Sequence, residues 1–485
     1  MLLRNICGIA RTIVLLTLAA CCLSGQTNQG GIRGLVADPQ GSAIPAAKVT
    51  LVNAATGVPR STVTNTTGEY SFSSVDPATY SVVAEAPGFK RLQRNEVMVG
   101  TQEFLTLDLK LEVGSVSESV LVTAEVPLIE TANASNGQVI GSQQLADLPN
   151  LGRNTYLMSK LANNVVPVGD PRWNRFQDQI GSSAISVGGG PIRGNNYTID
   201  GISITTSQNL PMAIPTIEGV QEIKTQTDTY DATMGRTGGG VFNTTLGSGT
   251  NEVHVELFGY LRKTGWAANS FFNNASGLPR AGDDWKNFGG HAGGPVVIPK
   301  LYNGRNKTFF FVAQEAYREH QPYSVQYALP TAAERTGDFS KAGLPVFDPL
   351  STRACTAADN CPAGVTAVRD PFAGNLIPTS RINPVGAAML NPLYIPLPQN
   401  NGARTVDTND FTGSDSLFNR ADEYIFKVEE DATQWLRLTG SFLYYKSREP
   451  GGNPLGTIAA SSGSYLLYRH VDATALNAII SANPT

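Results

Sequence analysis

Through most of its length the chain alternates apolar and polar residues with a period of two, in short runs separated by turn residues, and that period restricts it to sheets. Leu105-Thr106-Leu107-Asp108-Leu109-Lys110-Leu111 alternates strictly. From Asn251 to Leu261, Val253, Val255, Leu257 and Leu261 share one face, and Glu252, His254 and Glu256 share the other. Tyr424, Phe426 and Val428 alternate with Glu423, Lys427 and Glu429. After the turn Asp431-Ala432-Thr433-Gln434, Leu436, Leu438, Phe442 and Tyr444 alternate with Arg437, Thr439 and Ser441. Two folds share this period: a half-buried soluble sandwich, and a membrane barrel wall with its apolar face toward lipid. Beyond the N-terminal segment no run of 18 apolar residues occurs, so any membrane span must be built from strands closed on themselves. Aromatic strand ends such as Tyr424 and Tyr444-Tyr445 favour the barrel, where such residues form interfacial girdles.

The 485 residues suffice for roughly three domains of about 150 residues each. Charged residues are 16% of the chain, against roughly 25% in soluble domains, and the net charge of -4 excludes a basic nucleic-acid-binding face. Arg4 and Arg11 precede the apolar run Ile13 to Leu23, which ends on the small residues Ser24 and Gly25. A basic start, a short apolar core and a small-residue end predict an export signal over 1–25, cleaved near Gly25-Gln26. Leu18-Ala19-Ala20-Cys21 also fits a lipobox, and a buried helix is the bland alternative. Cys7, Cys21 and Cys22 fall within that segment, leaving Cys355 and Cys361 around a short polar stretch. An even pair in an oxidising compartment predicts a disulfide; a metal or redox pair would want a nearby His or C-x-x-C spacing, and neither is present.

Residues 30–112 hold five short alternating runs bounded by turns such as Asp38-Pro39-Gln40-Gly41 and Pro87-Gly88-Phe89, with Tyr70 and Phe72 on one face. Gly34, Val36, Asp38, Gly41, Ile44-Pro45, Ala47, Val49 and Leu51 lead to Gly68, Tyr70, Phe72, Val75, Pro77, Tyr80, Val82, Ala86 and Gly88-Phe89. That order resembles the carboxypeptidase regulatory-like domain. The resemblance implies a transthyretin-like or carbohydrate-binding-like β-sandwich without a peptidase site; sugar binding would be analogy from fold alone.

Residues 115–250 are rich in Gly and Asn. A helix-like piece, Ser142 to Pro149, leads to Gly152-Arg153-Asn154. Ile192-Arg193-Gly194, Ile199-Asp200-Gly201-Ile202, Ile217 to Lys224 and Tyr230 to Asn243, with Gly235, Arg236, Gly238, Gly239 and Gly240, follow in order. This series resembles the plug of TonB-dependent receptors in the Oar-like branch, and it implies an α+β plug domain with few large apolar residues. The glycines of 238–240 are expected to let backbone approach a wall closely. A phosphate cradle would need a Gly-Lys-Ser/Thr or a placed helix start, and neither follows.

Residues 251–485 resemble the Oar-like outer-membrane β-barrel. The blocks that carry the resemblance are Asn287 to Phe311, Pro330 to Ser340, Asp370 to Pro378 and Arg381-Ile382-Asn383-Pro384. Where the family has an arginine-aspartate pair, Lys427-Val428-Glu429-Glu430-Asp431 stands here. The fold class expected is therefore mainly β: a sandwich, a plug, then the first strands of an antiparallel barrel. A plugged transporter has about 22 strands of roughly 9–11 residues. Much of 262–420 is rich in loop formers, and the end Ser481 to Thr485 is polar, so an incomplete barrel is expected.

No residue set reads as a catalytic, cofactor or metal site. His254, His291, His320 and His470 are widely spaced, no G-x-S-x-G is present, and Asp283-Asp284 reads as a solvated pair. Glu118-Ser119-Val120-Leu121-Val122-Thr123-Ala124, between sandwich and plug, is similar to a TonB box, which would add a strand to a periplasmic energy-transducing partner. The alternative is a last sandwich strand or a linker. The resemblance implies export to the outer membrane, contact with its lipid, and ligand transport or signalling powered by a TonB-type protein. The extracellular ligand is of unknown identity, with carbohydrate or peptide as its expected class. A surface adhesin without transport is the runner-up, and the plug blocks count against it.

Overall fold

The computed structural model describes residues 28–115, 119–122, 136–169, 183–228, 237–269, 271, 274, 280, 284–399, 410–433, 435–450, 453–458 and 466–480. The export segment, Glu118, Thr123, Gly235 and Arg236 lie outside the described residues.

Nine strands form the N-terminal sandwich: β1 (Gly30–Ala37), β2 (Lys48–Asn53), β3 (Pro59–Val63), β4 (Glu69–Val75), β5 (Ala78–Glu85), β6 (Arg91–Val99), β7 (Phe104–Thr106), β8 (Leu109–Lys110) and β9 (Ser119–Val122). One sheet runs β4-β1-β7, with β8 also on β1, and the other runs β3-β2-β5-β6-β9. The alternating residues meet between them: Ile32, Val49, Leu51, Tyr70, Phe72, Val82, Leu105 and Leu107 are buried. Burial of each such side chain stabilises the fold by about 1.5–3 kcal/mol. Tyr70 satisfies its hydroxyl by donating to the Leu107 carbonyl at 2.6 Å. The turn after β1 is closed by Asp38, whose carboxylate accepts from the Gln40 and Ser42 amides.

The second unit is a five-stranded sheet in the order β10 (Asn136–Gly141), β15 (Val220–Asp228), β16 (Val241–Leu246), β13 (Asn196–Ile199), β14 (Ile202–Ser203). A small hairpin, β11 (Val165–Pro167) with β12 (Ile185–Val187), lies beside it. Among the described residues of this unit, helix is confined to Ser142–Asp147 and to short 3-10 turns. The expectation of few large apolar residues fails at the centre. Tyr197 stacks on Phe242 at 4.9 Å and Tyr156 meets Tyr197 edge-on at 4.9 Å, because a sheet packed on one side by loops needs bulky rings to fill the gap.

The third unit is a meander: β17 (His254–Arg262), β18 (Asp284–Pro295), β21 (Thr308–Tyr327), β24 (Phe411–Thr433), β25 (Leu436–Pro450) and β26 (Leu466–Ile480), each antiparallel to the next. A hairpin of β19 (Val297–Ile298) and β20 (Tyr302–Asn303) joins β18 to β21. Another, β22 (Arg353–Ala354) with β23 (Ala367–Val368), lies in the excursion between β21 and β24. The connections alternate in length. Those at one end, 296–307 and 434–435, are short; those at the other, 263–283, 328–410 and 451–465, are long. Outer-membrane barrels have this asymmetry, with short periplasmic turns and long outer loops.

Candidate functional site

The meander is inverted relative to a soluble sheet. Along β24, Glu423, Lys427 and Glu429 are buried, whereas Tyr424, Phe426 and Val428 are 38%, 47% and 49% exposed. On β17 both faces are exposed, Val255 and Leu257 together with His254 and Glu256. Asn287, Glu315, Glu319, Asn419, Ser441 and Glu449 add further buried polar groups. Such a face costs several kcal/mol per uncompensated charge unless partners cover it, and an apolar outer face is stable only against lipid. The plug supplies the partners.

Two clusters join plug to wall. In the first, Thr216 donates its amide to Glu423 Oε1 at 2.7 Å and its hydroxyl to Glu315. Asn287 donates to the other Glu315 oxygen at 2.6 Å. Arg153, buried, pairs with Glu218 and stands 3.9 Å from Glu315, with its guanidinium 4.3 Å over the Tyr260 ring. Burial alone would depress the Arg153 pKa, but the Glu315 and Glu218 carboxylates outweigh it and hold the pKa above the ordinary arginine value. In the second, Lys427 lies 3.6 Å from Asp200 and 3.6 Å from Glu429, and it donates to the Leu246 carbonyl at 3.3 Å. Asp200 also accepts the Leu246 amide at 3.0 Å, from a backbone with φ +46°. Close approach of plug to wall is made by other glycines than those singled out in the sequence. A Cβ on Gly219 would stand 2.5 Å from Ile425, and one on Gly247 would stand 2.5 Å from Phe311.

Of the plug-motif residues that the structure describes, only Asp200 reaches the wall directly. Arg193 is exposed on a loop, and the wall-facing arginine is Arg153 instead. Gly194 accepts the amides of Gly238 and Gly239, both at 2.9 Å. A Cβ on Gly239 would stand 2.3 Å from Asn195, so these glycines pack against the plug's own Gly194 loop rather than a barrel wall. Gly201 sits at φ +81° beside Asp200 and makes the turn between β13 and β14. Glu218 lies in a block that carries the plug resemblance but was not singled out there; Arg153, Thr216, Glu315 and Glu423 carried no motif signal, since their partners lie far along the chain. The one available hint was charge on the inward face of a period-two strand.

Ser119–Val122, the described part of the TonB-box segment, is β9, paired in parallel with β6 from Arg91↔Ser119 to Arg94↔Val122. It is an edge strand of the sandwich sheet, which is the alternative reading of that run, and its second edge carries no strand among the described residues. Cys355 and Cys361 are joined as a disulfide with Cα atoms 6.5 Å apart, in an exposed turn whose Asp359 carboxylate pairs with Arg353 at 2.7 Å. Hydrogen bonds from Arg353 and Thr356 hold the Asp359 pKa well below the usual carboxylate range. Among the described residues, no group of three or more His, Cys, Asp or Glu could hold a metal ion.

A polar-lined sheet, a second unit pinned to it, and short and long connections at opposite ends are features of outer-membrane barrel chains. Residues 245–484 match the family described as "Outer membrane beta barrel domain", and residues 31–112 match "Carboxypeptidase regulatory-like domain". The chain is similar to a TonB-dependent transporter of the Oar type. It is 26% identical over 287 residues to the TonB-dependent transporter Oar of Myxococcus xanthus, covering 56% of this chain and 26% of that protein. Similar solved structures include the outer membrane transporter YddB from Escherichia coli, at TM-score 0.37 and 11% identity over 64% of this chain and 33% of that one. The siderophore receptor PirA from Acinetobacter baumannii is similar at TM-score 0.33 and 16% identity, over 74% of this chain and 46% of that one. The chain thus spans about a quarter of the length of the curated relative it matches.

Proposed function

We propose that this chain belongs to an outer-membrane receptor or transporter that is not an enzyme. It binds an extracellular ligand and moves it, or a signal, across the membrane with energy from an inner-membrane TonB-type system. The observation that carries this reading is the inverted wall covered by a plug: Glu423, Lys427 and Glu429 buried against Thr216 and Asp200, with Tyr424, Phe426 and Val428 outward. An adhesin has no use for a plug held by buried charges.

In this reading residues 1–25 direct export, 30–112 form the periplasmic sandwich, 115–250 the plug and 251–485 the wall. The long connections face outside, where they and the plug apex meet a ligand of carbohydrate or peptide class. The short-turn end faces the periplasm and presents β9 to the TonB-type partner. Strand addition there would carry force through backbone hydrogen bonds. The test uses cells making the full-length protein, fractionated and then probed with a purified periplasmic TonB domain. Recovery in the outer membrane with specific, Ser119–Val122-dependent binding of that domain is expected. Surface attachment of cells with no binding of the TonB domain would establish the adhesin reading instead.

A further inference from the structure

The sandwich is not merely tethered ahead of the plug. Its turns are driven into both other units at the short-turn end. The turn between β2 and β3 meets the foot of the wall, where the Asn251 amide donates to the Ala55 carbonyl at 3.1 Å and its side chain to Thr56. The same Asn251 accepts from the Asn306 amide at 2.8 Å, in the short connection before β21. The turn between β4 and β5 meets the next short connection: Asp76 pairs with Arg437, which also holds Glu429 at 3.0 Å. Beside it, Gln221 of the plug donates to the Pro77 carbonyl at 2.7 Å.

The turn between β6 and β7 enters the plug. Thr101 is fully buried; its amide donates to Glu222 and its hydroxyl lies 2.6 Å from that of Thr245. Gln102, held at φ +52°, accepts from Lys224 at 2.9 Å through its carbonyl and from Asn243 at 2.7 Å through its side chain. Three turns of one domain therefore bridge plug to wall. The strand β9 belongs to that same domain through its register with β6.

We infer that the sandwich is a mechanical latch that clasps plug to wall at the short-turn end. A pull on β9 must detach the sandwich from the rim, or β9 from β6, before it reaches plug strand β10. The physical reason is the order of attachment. β9 lies in the sandwich sheet, the sandwich is fixed to Asn251, Asn306 and Arg437, and β10 comes later in the chain. The contacts expected to yield first are those to the wall, part-buried or exposed polar ones, weaker than the buried Arg153 and Lys427 clusters behind them. This rests on the proposed coupling only for where the natural pull is applied.

The test is single-molecule pulling on the full-length protein in lipid vesicles, from a handle at Thr123 with the wall immobilised. The native chain should show an early rupture before the plug extends. In Ala55→Cys/Asn251→Cys, a backbone hydrogen bond already brings the two positions within disulfide reach. Oxidation should leave only the parting of β9 from β6 before the plug and raise the force at which the plug extends, and reductant should bring back release of the sandwich from the rim, at a force below native because the Asn251 side-chain bonds are gone. Arg437→Gln, which needs no oxidation, should lower the early rupture force. Plug extension at the same force in oxidised and reduced forms, or an early event unmoved by Arg437→Gln, would overturn the latch. The instrument supplies the pull, so failure of the TonB reading is seen separately, as absence of TonB-domain binding.

Discussion

Replacing Lys427 by Met should loosen the plug from the wall by about 3–5 kcal/mol, the usual cost of stranding a buried charge. The geometry says which charge is stranded. Lys427 sits 3.6 Å from both Asp200 and Glu429, and all three are buried. Glu429 keeps Arg437 at 3.0 Å, whereas among the described residues Asp200 Oδ1 keeps only the neutral Leu246 amide at 3.0 Å. The penalty therefore falls on Asp200. Adding Asp200→Asn should recover most of the loss, because Asn removes the charge, still accepts from Leu246, and tolerates the left-handed φ of +46°. The assay is urea titration of the full-length protein in vesicles, with protease protection of β15 and β16 as the signal. At a slope of about 1–3 kcal/mol per molar urea, the single variant should release its plug on the order of 2 M earlier. A midpoint unmoved by Lys427→Met, or a double variant no more stable than the single, would refute the charge argument.

Val120→Pro and Val122→Pro should each abolish binding of the TonB domain by removing a backbone donor, with the sandwich core intact by circular dichroism; unchanged binding would show that β9 is not the coupling strand. Burial raises the Glu222 pKa above the ordinary 4.5 despite the Thr101 hydrogen bonds. A carboxyl raised on folding stabilises the sandwich–plug joint fully below its unfolded pKa and loses that contribution as pH rises through the folded value. Hydrogen exchange at Thr101 should accordingly quicken as pH rises above about 4.5 beyond the intrinsic trend, and Glu222→Gln should remove the excess. Arg335 donates to the carbonyls of Pro330, Leu390, Ile395 and Pro396, so Arg335→Ala should expose the outer excursion to protease near 390–396 without altering membrane recovery. Maleimide should label Cys355 and Cys361 only after reduction of the denatured protein; labelling of both before reduction would reject the disulfide.

Periodicity alone settles which way each wall strand faces. Once Tyr424, Phe426 and Val428 share a side, Glu423, Lys427 and Glu429 must share the other, because successive strand residues point oppositely. The same rule made the sandwich core legible at Tyr70, Phe72, Leu105 and Leu107, and turn residues marked where its strands stop. Pairing between units is a different matter. Lys427 departs from the family pattern, and nothing near it in the chain announces that it meets Asp200. Arg193 stands in a motif and stays exposed, while Arg153 stands in none and meets Glu218 and Glu315. The run Ser119–Val122 is equally suited to a free coupling strand and to a sheet edge, and nothing within it announces its register with Arg91–Arg94. Local alternation depends on neighbours two residues away. A salt bridge or a strand pairing depends on which distant backbone arrives alongside, and only the packed sheets determine that.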